Sequence, residues 1–403
     1  MKYVIVVIDS IERMKLFTRF EKAFNGCNYN FIFVTNKLSI YILLRWRRKH
    51  CFLIKRMSHI VHDVDVENCL QRKTDSLDEI GCKAVASDVY ETLHRIANSY
   101  NIQLLFIWNG YRAVEYSAKY WARSNKCNVL YFELGNFKGK LFADPIGVNC
   151  ESLAAKCPEI FTHIEYDDDS CTAWKNRYVD ERRVHHTVPQ ARAITSVNMW
   201  YLLDIIGSAT GLARADNNEK IWRKIFEKIK RNSARIKYDT YDLKKGKYIF
   251  LPLQVSNDTQ LLLNSSVDNY GALNYALTHA ATRKADLLVK IHPAEPNEKF
   301  IRYVCQMSKQ LNFKVTNQNT FNLIENAEAI VTINSTVGLE ARIFGVETHV
   351  LGRSLYGNFT NDQVKRYLCS YLLDIEYFSD VPIEISDAVK LLERSEMHCV
   401  DGK

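Results

Sequence analysis

A chain of 403 residues, 47% hydrophobic and 25% charged, has the balance of a folded globular protein, and its length predicts two domains. Its eleven cysteines are odd in number and show no CxxC pair. That pattern predicts ordinary buried thiols in a reducing compartment, without a disulfide framework or a zinc site. The net charge of +8 includes a dense basic run at Arg45, Arg47, Arg48 and Lys49, followed by Lys55 and Arg56, with Trp46, Phe52, Leu53 and Ile54 interleaved. Such a patch suits nucleic acid, an anionic lipid surface or an acidic glycan as well as a solvated face beside a strand. No RNP box, zinc finger or helix-turn-helix pattern accompanies it, so no nucleic-acid partner is expected.

The apolar run Tyr3 to Ile8 ends at Asp9-Ser10 and reads as a buried strand and turn, too short for a signal peptide. No stretch approaches the roughly 20 apolar residues of a membrane span. The expectation is a soluble cytoplasmic protein. Phe31 to Thr35 is a second strand. Residues 76 to 98 predict a helix with Ile80, Val85, Val89, Leu93 and Ile96 inward and Asp75 or Ser76 as cap. Gln103 to Trp108 is a strand, 112 to 124 a helix, and Asn128 to Phe132 a strand. Strands alternating with helices predict a parallel sheet.

Residues 150 to 195 break the alternation, with Asp167-Asp168-Asp169, Arg182-Arg183 and His185-His186, and read as an irregular or helical insertion near a cleft. A helix is expected over 217 to 232 and a polar linker over 233 to 247. Alternation then restarts. Strands are predicted at Tyr248 to Leu251, Asp286 to Ile291, Phe313 to Val315, Ala329 to Ile333 and Thr348 to Leu351. Helices are predicted at 268 to 281, 297 to 311, 319 to 327, 336 to 344, 362 to 374 and 383 to 394. The predicted division is an N-terminal Rossmann-like domain, 1 to 235, and a C-terminal one, 236 to 403. The chain stops at Cys399-Val-Asp-Gly-Lys without an obvious finish, as a module cut from a longer protein would.

Four loops of the second half follow strands and should open on one sheet edge. They are Leu251 to Asp258, Lys290 to Pro293, Asn334 to Ala341 and Gly352 to Gly357. In the third, free backbone N–H groups at a helix start, with the Ser335 and Thr336 hydroxyls, would suit a phosphate. Gly338 would let the backbone come close, and Glu340 could accept from ribose hydroxyls. For this block alone a plain capped helix is the stronger reading. His292 at a strand end could donate to a phosphate or protonate a leaving group. Lys290 alternates with it, so two basic groups share a face.

These four blocks, in this order and spacing, resemble the nucleotide-binding half of the bacterial capsule-polysaccharide family of Kdo transferases, Kdo being the acidic sugar 3-deoxy-manno-octulosonic acid. Trp108-Asn109-Gly110, Tyr131 to Asn136 and Asp144 to Asn149 are similar to the family's other blocks. The likeness covers about residues 100 to 357 and is nearest to the retaining β-Kdo enzymes, including modules of O-antigen synthesis. It implies an α/β fold of GT-B type, two Rossmann-like doubly wound domains facing a cleft, and transfer of Kdo from CMP-β-Kdo to a saccharide acceptor. His292, Ser335 and Thr336 would hold the phosphate. Gln254 and Asn257 would line the nucleotide pocket with Lys290, Asn334, Gly338, Glu340 and Tyr356. Asn109, Asn136 and Lys138 would lie on the acceptor or sugar side, with Glu133 nearby.

Retention by double displacement needs a carboxylate nucleophile. The resemblance implies an Asp near the end of the helix before the linker, where this chain has Asn232. Asn232 reads as an Asp→Asn change, with Glu133 and Asp239 as fallback nucleophiles. Asp63-Val64-Asp65 and Asp167 to Asp169 satisfy a DxD pattern, but neither follows a convincing strand, so no metal and no cofactor is expected. Peripheral association with the inner membrane or an assembly complex fits the basic run. Two rivals stay open: a sialyltransferase-like enzyme using another CMP-sugar, and a catalytically silent glycan-binding module.

Overall fold

A computed structural model describes residues 1–57, 62, 64–184, 199–214, 236–244 and 246–399. The expected helix at 217 to 232, Asn232 itself, His185-His186, Asp63 and linker residues 233–235 and 245 lie outside the described residues. The described residues form two compact units. One is drawn from Met1–Lys156, Pro189–Glu219 and Leu372–Lys403, the other from Cys157–Val188 and Lys220–Tyr371. Both are Rossmann-like: a mostly parallel sheet with alternating helices. Among the described residues no helix is long and apolar enough to cross a membrane.

The first sheet has strands β1 (Lys2–Val7), β2 (Tyr29–Thr35), β3 (Cys51–Leu53), β4 (Ile102–Trp108), β5 (Asn128–Leu134) and β6 (Leu141–Asp144), in the order β3-β2-β1-β4-β5-β6. All neighbours are parallel except β5 and β6. Val4 to Val7 are buried on both faces, as a central parallel strand requires. The helix Ile11–Asn25 turns Met14, Phe17, Phe20 and Phe24 onto one face of the sheet. Their rings meet Phe106 and Phe132, themselves 4.8 Å apart, in an aromatic core.

Most predicted elements stand within a few residues of their expected bounds. The helix expected at 76 to 98 runs Glu79–Ser99, and its cap is Asp78, whose Oδ1 accepts from Gly81 N at 2.7 Å. Ile80, expected inward, is 69% exposed. It precedes Val85 by five positions, about 140° round the helix, and so leaves the stripe. The basic run belongs to a helix the periodicity did not announce, Leu38–Trp46, and to the turn before β3. Antiparallel β6 was also unannounced, because a hairpin closed by Gly135 N–H to Lys140 O makes it. The insertion is helical as far as described: 3₁₀ turns Asn149–Glu151 and Pro158–His163, and helices Leu153–Lys156 and Asp168–Val184.

The second sheet has β7 (Tyr248–Pro252), β8 (Asp286–Lys290), β9 (Lys314–Val315), β10 (Ala329–Thr332) and β11 (Glu347–Val350), all parallel, ordered β11-β10-β7-β8-β9. Every residue of β7 is buried, with Ile249 and Leu251 in one core cluster and Tyr248 and Phe250 in the other. The sheet is therefore covered on both faces.

Two expectations need correction. The division at 235/236 leaves out a return of the chain, since residues from Leu372 onward belong to the first unit. Leu373 bridges Leu141 on the exposed side of β6 with two N–H···O bonds of 2.9 Å. Leu373, Ile375, Ile383, Ala388 and Leu391 then bury themselves in the aromatic core. Apolar burial and an open strand edge draw the tail back. The thiols are not all free either: Cys171 and Cys369 are disulfide-bonded within the second unit, 198 positions apart. No local spacing could signal that pair. The same seam is also tied by Gln363 to Pro158 O and Arg366 to Ile164 O.

Asp144 organises the turn after β6. It is fully buried, and its Oδ1 accepts from Ile146, Gly147 and Leu153 N–H at 2.9, 3.1 and 2.9 Å, while Oδ2 accepts from Ala154 N–H at 3.2 Å. Asp144→Ala leaves those donors unpaired and should cost about 3 kcal/mol in urea unfolding; a loss under about 1 kcal/mol would show that the turn does not depend on it.

Candidate functional site

In the second sheet the chain leaves β7 toward β8 and β9, then returns to the other side of β7 as β10. The gap between β7 and β10 is the topological switch point, where ligands of doubly wound sheets bind at the carboxyl ends of the strands. The four predicted loops follow β7, β8, β10 and β11, so the topology brings them to that one edge.

They are bonded to one another. Gln254, nearly buried, donates through Nε2 to Asn334 Oδ1 at 2.8 Å and accepts at Oε1 from Asn334 N–H at 3.0 Å. Asn334 Nδ2 also donates to Gln260 O at 3.0 Å. Gln254 and Asn334 thus act as a bracket across the switch point, with both ends of the glutamine amide engaged. Asn257 in the same loop is exposed. Buried Glu295 accepts from Ser256 N–H at 2.8 Å and Asn297 N–H at 2.8 Å, joining the first loop to the second. Leu351 and Gly352 N–H donate to Thr332 and Ile333 O, each at 2.9 Å, joining the fourth to the third.

The helix Thr336–Ile343 begins at Ser335, whose Oγ accepts from Val337 N–H at 3.2 Å. Ser335 N–H donates to Thr332 Oγ1 at 3.4 Å, and Gly338 N–H to Ser335 O at 3.0 Å. Most of the amides expected to be free are therefore engaged. A ligand here would meet mainly the Ser335 and Thr336 hydroxyls. Gly338 is required by close packing: a Cβ there would lie 2.3 Å from the Tyr356 hydroxyl and 2.8 Å from Thr332 Cγ2. Tyr356 is buried, donates to Ser335 O, and has its phenol pKa pushed up by that burial.

His292 accepts at Nδ1 from Ala294 N–H at 3.0 Å. In the neutral ring the proton then sits on Nε2, available as a donor. Desolvation holds the imidazole below its usual pKa, against Asp258 and Glu295, which raise it, and with Lys290 lowering it further. Lys290 is held below its ordinary value by burial and then by the nearby Arg182. Its Nζ donates to Gln318 O at 2.6 Å and Thr320 Oγ1 at 2.9 Å, leaving one ammonium proton.

Arg182 is the residue that sequence reasoning passed over. It comes from the insertion helix Asp168–Val184 and pairs with Glu340 at 3.2 Å. Its Nε is buried with no hydrogen-bond partner among the described residues. Glu340, 6% exposed, also accepts from Tyr178 OH, so its carboxylate is engaged by the insertion helix. The Arg182-Arg183 dipeptide was the available signal, but nothing in its spacing connected it to a strand end 100 residues away. Together Arg182, Lys290 and His292 give one edge of this unit a basic character suited to an anion.

In the first unit the switch point lies between β1 and β4. Asn109 has φ +39° and Gly110 φ +78°, a left-handed turn in which a Gly110 Cβ would press on the Tyr131 ring at 3.0 Å. Glu133 is half-buried and accepts from Asn149 Nδ2 at 2.8 Å, so two of the predicted blocks meet. Asn136 is half-buried and Lys138 exposed. Beside this switch point Arg13 pairs with Asp9, lies 3.8 Å from Glu115 and sits over the Trp108 ring at 4.7 Å. Lys119 is held down to about 8, first by burial and then by Arg123. Asp239 is no free nucleophile: its Oδ2 accepts from Val315 N–H at 3.0 Å and its N–H donates to Val315 O, extending the β9 edge. Asp167 caps its helix through Ser170 and Asp169 N–H, and Asp65 accepts from Glu67 N–H.

Residues 104–362 match the family described as capsule polysaccharide biosynthesis protein. The capsule polysaccharide export protein KpsS of Escherichia coli is 25% identical over 289 residues, 66% of this chain and 70% of that one. Protein FixF of Sinorhizobium fredii is 35% identical over 133 residues, 32% of each chain. Among solved structures, the KpsC beta Kdo 2,7 transferase of Thermosulfurimonas dismutans aligns with a TM-score of 0.47 at 14% identity, over 96% of this chain and 98% of that one. A UDP-GlcNAc 2-epimerase from Methanocaldococcus jannaschii aligns with a TM-score of 0.30 at 11% identity, over 98% and 99%.

Gly338→Ala should displace the Tyr356 ring and cost about 1–3 kcal/mol in unfolding. Adding Tyr356→Phe removes the hydroxyl the new methyl meets and should recover part of that loss. Purely additive effects in urea unfolding would rule out this packing argument.

Proposed function

Because the chain belongs to the capsule polysaccharide biosynthesis protein family, we propose that it is a glycosyltransferase that moves Kdo from CMP-β-Kdo to a saccharide acceptor with retention, building a β-linkage of a capsule or O-antigen polysaccharide. The observation that carries this reading is the basic edge made by Arg182, Lys290 and His292 beside the Ser335-Thr336 helix start. The donor carries two anionic groups, a phosphate and the sugar carboxylate. Arg182 and Lys290 would offset them, since a guanidinium suits planar oxyanions and an ammonium acts as a point charge. His292 would donate Nε2–H to the departing phosphate, stabilising charge that grows as the glycosidic bond breaks. Ser335 and Thr336 would hold the remaining phosphate oxygens, and the Gln254–Asn334 bracket would fix the loops that carry them.

The same reading needs no metal, since the two basic side chains do the work a divalent cation would do at the leaving group. It keeps the chain in the cytoplasm at the inner face of the membrane, where exposed Arg45, Trp46, Arg47 and Arg48 would meet anionic headgroups. Retention calls for a carboxylate on the far face of the sugar. In the sequence Asn232 stands where the resemblance implies that carboxylate, and its amide is a poor nucleophile. The amide also favours a second reading, a module that binds the donor or a glycan without turnover.

Transfer assayed with CMP-Kdo and a Kdo-accepting saccharide decides between them. Asn232→Asp should raise turnover strongly, and His292→Ala in that background should lower kcat/KM about 100-fold. Arg182→Gln should weaken CMP-Kdo binding about tenfold. Silence of Asn232→Asp with intact CMP binding leaves the binder reading, and absence of CMP binding removes the transferase reading.

His292 also sets a pH dependence. Its folded pKa lies below the usual 6.5, so the ring is neutral at pH 7. A bound phosphate favours the imidazolium and raises that pKa, so protons and phosphate bind together. CMP affinity should therefore hold up better on acidification from about pH 7.5 to 5.5 in the wild type than in His292→Gln. Parallel pH profiles for the two proteins would contradict this.

A further inference from the structure

A second cluster of chemistry-bearing side chains lies on the β11 edge of the second unit. His279 stands near the end of the helix Asn269–Arg283, and Glu347 and His349 stand on β11. The helix begins beside the switch-point loops and ends before the first residue of β8, while Glu347 is the first residue of β11. The cluster is therefore toward the amino ends of the strands, opposite the loops that hold His292 and Ser335.

One ligating atom from each of the three residues lies within 4.8 Å of the others. The His349 Nε2 and Glu347 Oε1 atoms are 2.8 Å apart, and the His279 and His349 rings are 4.2 Å between centroids. His279 Nε2 is buried and has no hydrogen-bond partner among the described residues. A buried ring nitrogen without a partner is costly unless something ligates it. Glu328, which pairs with Arg283 at 3.6 Å, has its Oε2 buried and equally without a hydrogen-bond partner among the described residues. His349 Nδ1 meets Tyr275 OH at 3.0 Å. That hydroxyl can accept from Nδ1–H, which frees the Nε2 lone pair and orients the ring, the usual outer-sphere arrangement for a metal-bound histidine.

From this we propose that His279, Glu347 and His349 form a zinc-class divalent metal site that fastens edge strand β11 to the helix Asn269–Arg283. Two imidazoles and a carboxylate are borderline donors of the kind Zn²⁺ takes. Zinc bonds of about 2.0–2.1 Å place tetrahedral ligand atoms roughly 3.3 Å apart, so side-chain rotations of about 1 Å close the set. Arg283 donates to Glu347 and pairs with Glu328, so two carboxylates face one guanidinium. Their excess of negative charge favours a cation, and the fourth position falls to water or to Glu328. Such a clamp would hold the strand that leads into the Gly352 to Gly357 loop, without taking part in transfer. It is independent of the donor reading.

The test uses the full chain freed of metal by chelator and dialysis, titrated with Zn²⁺ alone. One equivalent should bind and raise the melting temperature. His279→Ala and His349→Ala should each weaken binding at least about tenfold, Glu347→Gln less, and His292→Gln not at all. Co²⁺ in the wild-type chain should give the intense visible bands of four-coordinate cobalt, a readout that needs no variant to fold. No uptake of zinc, uptake unchanged in both histidine variants, or cobalt bands of a six-coordinate aquo ion would each overturn the site.

Discussion

The reciprocal pair between Gln254 and Asn334 is the constraint on which the second unit's functional edge depends. Between β7 and β10 the helices depart in opposite directions, so the two strands splay at their carboxyl ends and leave a gap. The glutamine amide spans that gap, giving one hydrogen bond to a side chain and receiving one from the backbone. A buried amide with both ends satisfied is rigid, because breaking either bond leaves a polar group without a partner. It fixes where Ser335 begins its helix, and Tyr356 and Gly338 fix how near the fourth loop can lie to that turn.

Charge in this edge is arranged rather than accumulated. Glu340 could have served a ligand, yet it holds Arg182 and Tyr178 in place. Glu295 could have paired with His292, yet its oxygens are taken by Ser256 and Asn297 N–H. The carboxylates are thus spent on the backbone and on positioning, while the cations keep free capacity: one proton on Lys290, Nε on Arg182, Nε2 on His292. An edge with engaged acids and available bases suits an anion better than a cation. The insertion helix matters here because it supplies Arg182 to a sheet whose own loops offer Lys290 and His292.

The first unit shows the same economy. Asp144 looks by type like a catalytic acid, but its four N–H partners make it the knot that ties the β6 turn to the helix Leu153–Lys156. Glu133, bonded to Asn149, is only half-buried. Closure of the aromatic core by the returning C-terminal segment means that this unit's stability rests on residues from both ends of the chain.

The sequence by itself determined the strand and helix alternation, the two Rossmann-like sheets, and the clustering of Gln254, Lys290, His292, Ser335 and Tyr356 loops at strand ends. Those features depend on local periodicity and on the topology that periodicity imposes, so a linear reading reaches them. Only the tertiary structure decided that Gln254 is a bracket, that Glu340 serves Arg182, that Cys171 finds Cys369, and that His279 meets Glu347 and His349. Each is a pairing between distant parts of the chain, set by how helices pack on a sheet, and no short-range pattern encodes such distances. The tail's return to β6 was hidden for the same reason: an open strand edge exists only once the sheet has formed.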